Sequence, residues 1–143
     1  MDGGSDLLKN VLSNKSNYLV DQNKARAYSG AIPAGQDEES IRNTLSNWID
    51  EYPVFMLSLT EWPYCKKAKS LLKERDIRFH VIEIDQIDIG GAIRQEYIKR
   101  VGGERTSLPA IWINGEFIGG CNDGSPGLVP LIEVGRLDAM LQK

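Results

Sequence analysis

The sequence predicts an α/β fold, and three observations point to it. Short apolar runs alternate with amphipathic helical patterns from about residue 40 to the end of the chain. The run at residues 54–59 stops abruptly at a helix start marked by Pro63, and an Asn114-Gly115 pair divides two further apolar runs. Read in order, the segments give β-α-β-α-β-β-α, preceded by one helix.

Residues 1 to about 37 are rich in Asn, Ser, Gly, Lys and Asp, with apolar residues too scattered to bury much surface, and read as a flexible N-terminal extension. Within it, Leu7, Leu8, Val11 and Leu12 give a weak helical pattern over 6–20 that suits a docking segment, while the plainer reading is a solubilising tail. Residues 31–35 read as linker, and the domain proper is expected over 38–143. Ile41, Leu45, Trp48 and Ile49 recur at helical spacing, so 40–51 is predicted as an amphipathic helix covering a sheet. Residues 54–59 are apolar, short and preceded by Pro53, which suits a buried strand. Residues 64–75 contain no Gly or Pro and follow Pro63, which is favoured in a first helical turn because its missing N–H has no helical partner there.

A second strand is expected at 79–84, carrying His80, the only histidine; a lone imidazole in a strand is read as a packing or surface group. A loop follows at 85–91, then a helix over 92–101 closed by Gly102-Gly103. Residues 110–113 and 116–118 flank Asn114-Gly115 as a hairpin, because both turn residues tolerate positive φ. The pattern of Leu128, Leu131, Ile132, Leu137, Met140 and Leu141 predicts one C-terminal helix over 127–143 that tolerates Pro130 and Gly135.

Composition narrows the function. The 143 residues are 41% hydrophobic, enough for one domain, and the net charge of −3 offers no electrostatic case for nucleic acid or an anionic membrane. No apolar run approaches the roughly 18 residues of a membrane span, and acidic Asp2 and Asp6 with no apolar block behind a basic flank argue against a leader peptide. A reducing, cytoplasmic setting is expected. Two cysteines do not make a disulfide scaffold, and with one histidine they cannot complete a four-ligand zinc site, so no metal is expected.

The chemistry centres on Cys65, in the first turn of the Pro63 helix. Unpaired N–H groups and the helix dipole there favour a thiolate, and Lys66, Lys67 and Lys69 add positive charge. Against this, Cys65, Ala68, Leu71 and Leu72 share one helical stripe, which turns the thiol toward the core and raises its pKa. Both readings, working nucleophile and inert structural cysteine, stand on the sequence alone.

Here the chain resembles the glutaredoxin family, whose active loop reads Cys-Pro-Tyr-Cys between a strand and a helix. This loop reads Trp62-Pro63-Tyr64-Cys65. The resemblance covers about residues 40 to 143 and extends to Cys65-Lys66-Lys67-Ala68-Lys69, Ser107-Leu108-Pro109, Ile113-Asn114-Gly115 and Ile118-Gly119-Gly120-Cys121-Asn122-Asp123. It implies a thioredoxin-like fold, a four-stranded mixed sheet with helices on both faces, and glutathione as co-substrate. It also implies that Pro109 is the family's cis-proline, with Ser107 and Leu108 beside the cysteinyl part of glutathione and Tyr64 as an aromatic wall. Gly120, Cys121, Asn122 and Asp123 match the loop that cradles the γ-glutamyl end, the Asp123 carboxylate receiving its ammonium. Cys121 itself reads either as an exposed thiol open to a mixed disulfide or as a small groove-filling residue.

Three departures matter. Trp62 takes the place of the nucleophilic first cysteine, and Leu59 that of a lysine which holds a glutathione carboxylate; Gly124-Ser125-Pro126-Gly127 resembles a small insertion. Trp62 reads as a cap that excludes water from the loop, or as an indole lying across the groove. Two functions follow: a weak glutathione-dependent thiol–disulfide oxidoreductase working through Cys65 by a one-thiol route, on glutathionylated or other proteins; or a catalytically silent module that binds glutathione or a protein partner. A bridged iron–sulfur cluster, known in relatives, needs the missing first cysteine and ranks below both.

Overall fold

The computed structural model describes residues 29–102 and 105–142. Most of the expected N-terminal extension, including the 6–20 helical pattern, therefore lies outside the described residues. From Glu38 onward, helices and strands alternate as the sequence predicts: α1 (Glu38–Glu51), β1 (Val54–Ser58), α2 (Pro63–Glu74), β2 (His80–Glu83), α3 (Gly90–Arg100), β3 (Ala110–Ile113), β4 (Glu116–Gly119), α4 (Leu128–Glu133) and α5 (Leu137–Leu141). The sheet order is β2-β1-β3-β4, with β1 parallel to β2 and antiparallel to β3, and β3 antiparallel to β4.

All five residues of β1 are buried, because this central strand is covered on both faces. Alternation then sorts its side chains into two cores. Phe55 and Leu57 pack with Ile41, Leu45, Ile93, Tyr97 and Trp112 under α1 and α3. Val54 and Met56 pack with Ala68, Leu72, Ile111, Leu128 and Leu131 under α2 and α4. The expected mixed sheet with helices on both faces is thus observed.

Strand ends differ from expectation by a residue, and three larger differences have a physical cause. Helix α1 starts at Glu38, two residues before the expected Ser40, because Asp37 caps it: Ser40 N–H donates to Asp37 Oδ1 at 2.7 Å and Asp37 N–H donates to Ser40 Oγ at 3.0 Å. Part of the expected 85–91 loop is structured, as a 3₁₀ turn at Ile84–Gln86 and the first residues of α3. Gly90 allows this close packing, since a Cβ there would lie 1.8 Å from the Ile84 carbonyl oxygen. The single C-terminal helix is two. Gly135, at φ +71°, ends α4 with its N–H on Ile132 O, and Arg136 N–H donates to Leu131 O. Pro130 is tolerated as the third residue of α4, where no helical acceptor is owed an N–H.

Candidate functional site

The loop leaving β1 is fixed from beneath. Asp85, buried in the 3₁₀ turn after β2, accepts from Thr60 N–H at 3.1 Å and Thr60 Oγ1 at 2.8 Å, and Trp62 N–H closes the turn on Leu59 O. Sequence reading missed Asp85, which nothing distinguishes from a loop-starting acid. Leu59 is half-buried and packs on the first core, which is work an exposed lysine at that position would not do.

Opposite this loop, the Leu108–Pro109 bond is cis, and the Tyr97 hydroxyl donates to Ser107 O at 2.8 Å. The third wall is the segment Gly120–Asp123, held by backbone bonds at both ends. Gly120 N–H donates to Asp123 O at 2.8 Å, while Leu128 and Val129 N–H, at the start of α4, donate to Gly120 O and Cys121 O. These walls enclose a groove of about 340 Å³ lined by Trp62, Tyr64, Arg105, Ser107, Leu108, Pro109, Cys121, Asn122 and Asp123. That volume suits a small peptide. The structure therefore brings together, around one groove, most of the residues singled out in the sequence; Gly120 contributes backbone alongside it. It also adds Arg105, which sequence reading missed because 105–106 carries no periodic pattern.

Trp62 and Tyr64 stand about half exposed and both line the groove. Both thiols are hidden: Cys65 has no exposed surface and Cys121 only 1%. The reading of Cys121 as an exposed thiol is thus corrected; it belongs to the second core and fills space under the groove. For Cys65, burial pushes the thiol pKa up, and the Leu59 N–H donated to Sγ at 3.4 Å and the bond with Ser58 offset this only in part. The expected lysine effect is largely absent, because the three ammonium groups are engaged elsewhere: Lys66 with Glu61, Lys67 with Asn122 Oδ1, and Lys69 with Glu83 at 2.7 Å. Only Lys69 acts on Cys65, and Glu83 opposes it.

A strand–loop–helix with an N-terminal cysteine, facing a cis-proline loop and a glycine-rich loop, is the arrangement expected from the sequence, and comparison with known proteins agrees. The glutaredoxin family model matches residues 54–118. Glutaredoxin-1 of Rhizophagus irregularis is 40% identical over 83 residues, spanning 58% of this chain and 80% of that protein. The chain belongs to the glutaredoxin family. Glutaredoxin-C1 of Arabidopsis thaliana is 32% identical over 95 residues, covering 66% of this chain and 74% of its own. The crystal structure of a buckwheat glutaredoxin–glutathione complex superposes with a TM-score of 0.68 at 25% identity, over 77% of this chain and 94% of that one. The fold is thioredoxin-like, and the family is one of thiol–disulfide oxidoreductases that use glutathione.

The groove fits such a ligand on its own features. Arg105 Nε is buried without a partner among the described residues, and Asp123 is largely exposed to receive a cation.

Proposed function

We propose that the protein binds glutathione, or the glutathionyl group of a modified protein, in this groove and performs thiol–disulfide exchange slowly through Cys65 alone. One observation carries this reading: the groove is complete, and Cys65, the thiol of the active loop that borders it, lies fully buried. In the exchange, the Cys65 thiolate attacks the glutathione sulfur of a protein–glutathione disulfide. The protein thiolate leaves and takes a proton, and Cys65 is left as a mixed disulfide. A second glutathione thiolate then attacks that disulfide, releasing oxidised glutathione and restoring Cys65. Two features keep the reaction slow. The loop from Trp62 to Tyr64 must open to expose Sγ, and burial keeps the thiol protonated.

Cys65→Ser should abolish turnover of a glutathionylated peptide while leaving the circular dichroism spectrum and glutathione binding intact. Turnover equal in both forms refutes the route. The pH profile is a second test. A raised thiol pKa leaves little thiolate at neutral pH, so the rate should climb about tenfold per pH unit well past pH 8. A rate that levels off near neutrality contradicts a buried nucleophile.

The second reading, a silent binding module, is favoured by Trp62, whose indole stands at the groove where the resemblance places the family's attacking thiol. Glutathione binding with no turnover in either form selects it. We place the protein in the cytoplasm, acting on protein partners there. The reading is supported by two cysteines that are both free thiols, and a fluorescent fusion tests it. Among the described residues, no helix is long and apolar enough to cross a membrane, and no cluster of His, Cys, Asp and Glu could hold a metal ion.

A further inference from the structure

Cys65 shares a buried cluster with three polar side chains that do not line the groove. Ser58, at the end of β1 and fully buried, hydrogen-bonds with the Cys65 thiol. Its register partner on β2 is Glu83. On α2, Lys69 follows Cys65 by four residues, a spacing that makes side chains neighbours about 5–6 Å apart. Lys69 Nζ donates to Glu83 Oε1 at 2.7 Å, and the two side chains are only 17% and 19% exposed. On an open surface such a pair would be screened; here water screens it weakly, and both charges are felt by their neighbours.

The pair is not balanced. Glu83 Oε2 is buried with no hydrogen-bond partner among the described residues, so half of the carboxylate meets no donor. An ammonium carries three N–H donors, and Lys69 gives one to Glu83. The other polar groups around the loop are turned elsewhere or uncharged: Lys66 holds Glu61, Lys67 holds Asn122, Asp85 holds Thr60, and Cys121 on the groove segment is itself a buried thiol. After burial, the largest influence on the Cys65 thiol, the charges that act on it are Glu83, which opposes the thiolate, and Lys69, which favours it.

We infer that Glu83 and Lys69 are positioning residues for exchange at Cys65: Lys69 is the counter-ion within reach of the thiolate, and Glu83 is a brake that holds this ammonium and sets its own charge beside the thiol. This rests on the proposed exchange through Cys65. It assigns part of the slowness of that exchange to one carboxylate, which a single substitution removes. A purely structural pair, pinning α2 to β2, would instead loosen the loop when broken and change the rate by one factor at every pH.

The test is a pH titration of the full chain by NMR of isotope-labelled cysteine, which reads ionisation of Cys65 without a reagent having to reach the buried sulfur. Turnover of a glutathionylated peptide is measured over the same pH range. Glu83→Gln, close in shape to the carboxylate, should lower the Cys65 midpoint by about one unit, a tenfold gain in thiolate below it. A less basic thiolate is also a weaker nucleophile, so turnover at pH 7 should rise only about threefold and the rate at high pH should not rise. Lys69→Met should move the midpoint up and slow turnover. The double variant Lys69→Met, Glu83→Gln, which leaves no buried charge unpaired, should fall between the two single variants. A midpoint that Glu83→Gln leaves in place, or a rate raised by the same factor at every pH, overturns the assignment. A midpoint that moves as expected with no turnover in any form upholds the electrostatic assignment and refutes the exchange reading, which is a distinct result.

Discussion

Trp62→Cys should raise the exchange rate on a glutathionylated peptide by about a hundredfold or more at neutral pH. Trp62 is the N-cap of α2, 47% exposed, and makes no side-chain capping bond. A thiol there meets solvent, lines the groove and sits at the positive end of a 12-residue helix, which favours the thiolate. Cys65 is three residues farther on and buried, so it meets neither solvent nor the groove. The gain should survive in a Trp62→Cys, Cys65→Ser double variant, because the new thiol completes a one-thiol cycle with glutathione alone. An exposed N-cap change should leave stability within about 1 kcal/mol. If the rate stays at the wild-type level, the groove does not present a disulfide over position 62, and the register of the active loop is wrong.

Gly119→Ala should cost about 2 to 4 kcal/mol and abolish glutathione binding together. Gly119 has φ +97° and bridges to Gly124, and a Cβ at Gly119 would lie 2.5 Å from Gly124 Cα, 2.8 Å from Asp123 O and 2.9 Å from Ser125 N. All three are backbone atoms of the groove segment or of the stretch that follows it, so relief requires moving the wall itself. Gly135→Ala is the matched control. Its φ is +71° but a Cβ would meet nothing within 4 Å, so it should lose only about 1 kcal/mol and leave binding unchanged. Urea denaturation of both variants, with glutathione titrations alongside, separates the conformational penalty from the clash. Equal losses in the two would show that the Gly119–Gly124 contact has slack.

The fold was legible because its signals are local. Pro63 at a helix start, Asn114-Gly115 at a turn and the short apolar run of β1 each fix structure within a few residues. The capping box at Asp37 and Ser40 was also local but lacks the usual acidic third residue, and α1 was read two residues short. The break at Gly135 was missed although the apolar positions of α5 fall about 180° around the helix from those of α4 at 3.6 residues per turn, a phase change that marks it. In the site, the groove segments were legible through their likeness to a known family. The residues that hold those segments were not. Asp85 reaches Thr60 across 25 residues and Arg105 reaches Asp123 across 18, and no sequence period records such pairs. The state of Cys65 was open for a related reason: helix position favoured a thiolate and the helical stripe favoured burial. Burial dominates once Lys66, Lys67 and Lys69 are seen to be engaged with other partners.

The most direct test follows the intact mass of the wild-type protein over time in oxidised glutathione, with peptide mapping of the product. One glutathione should add slowly, on Cys65 only, and faster as pH rises. Rapid modification, or an adduct on Cys121 in place of Cys65, would contradict slow exchange through the buried Cys65.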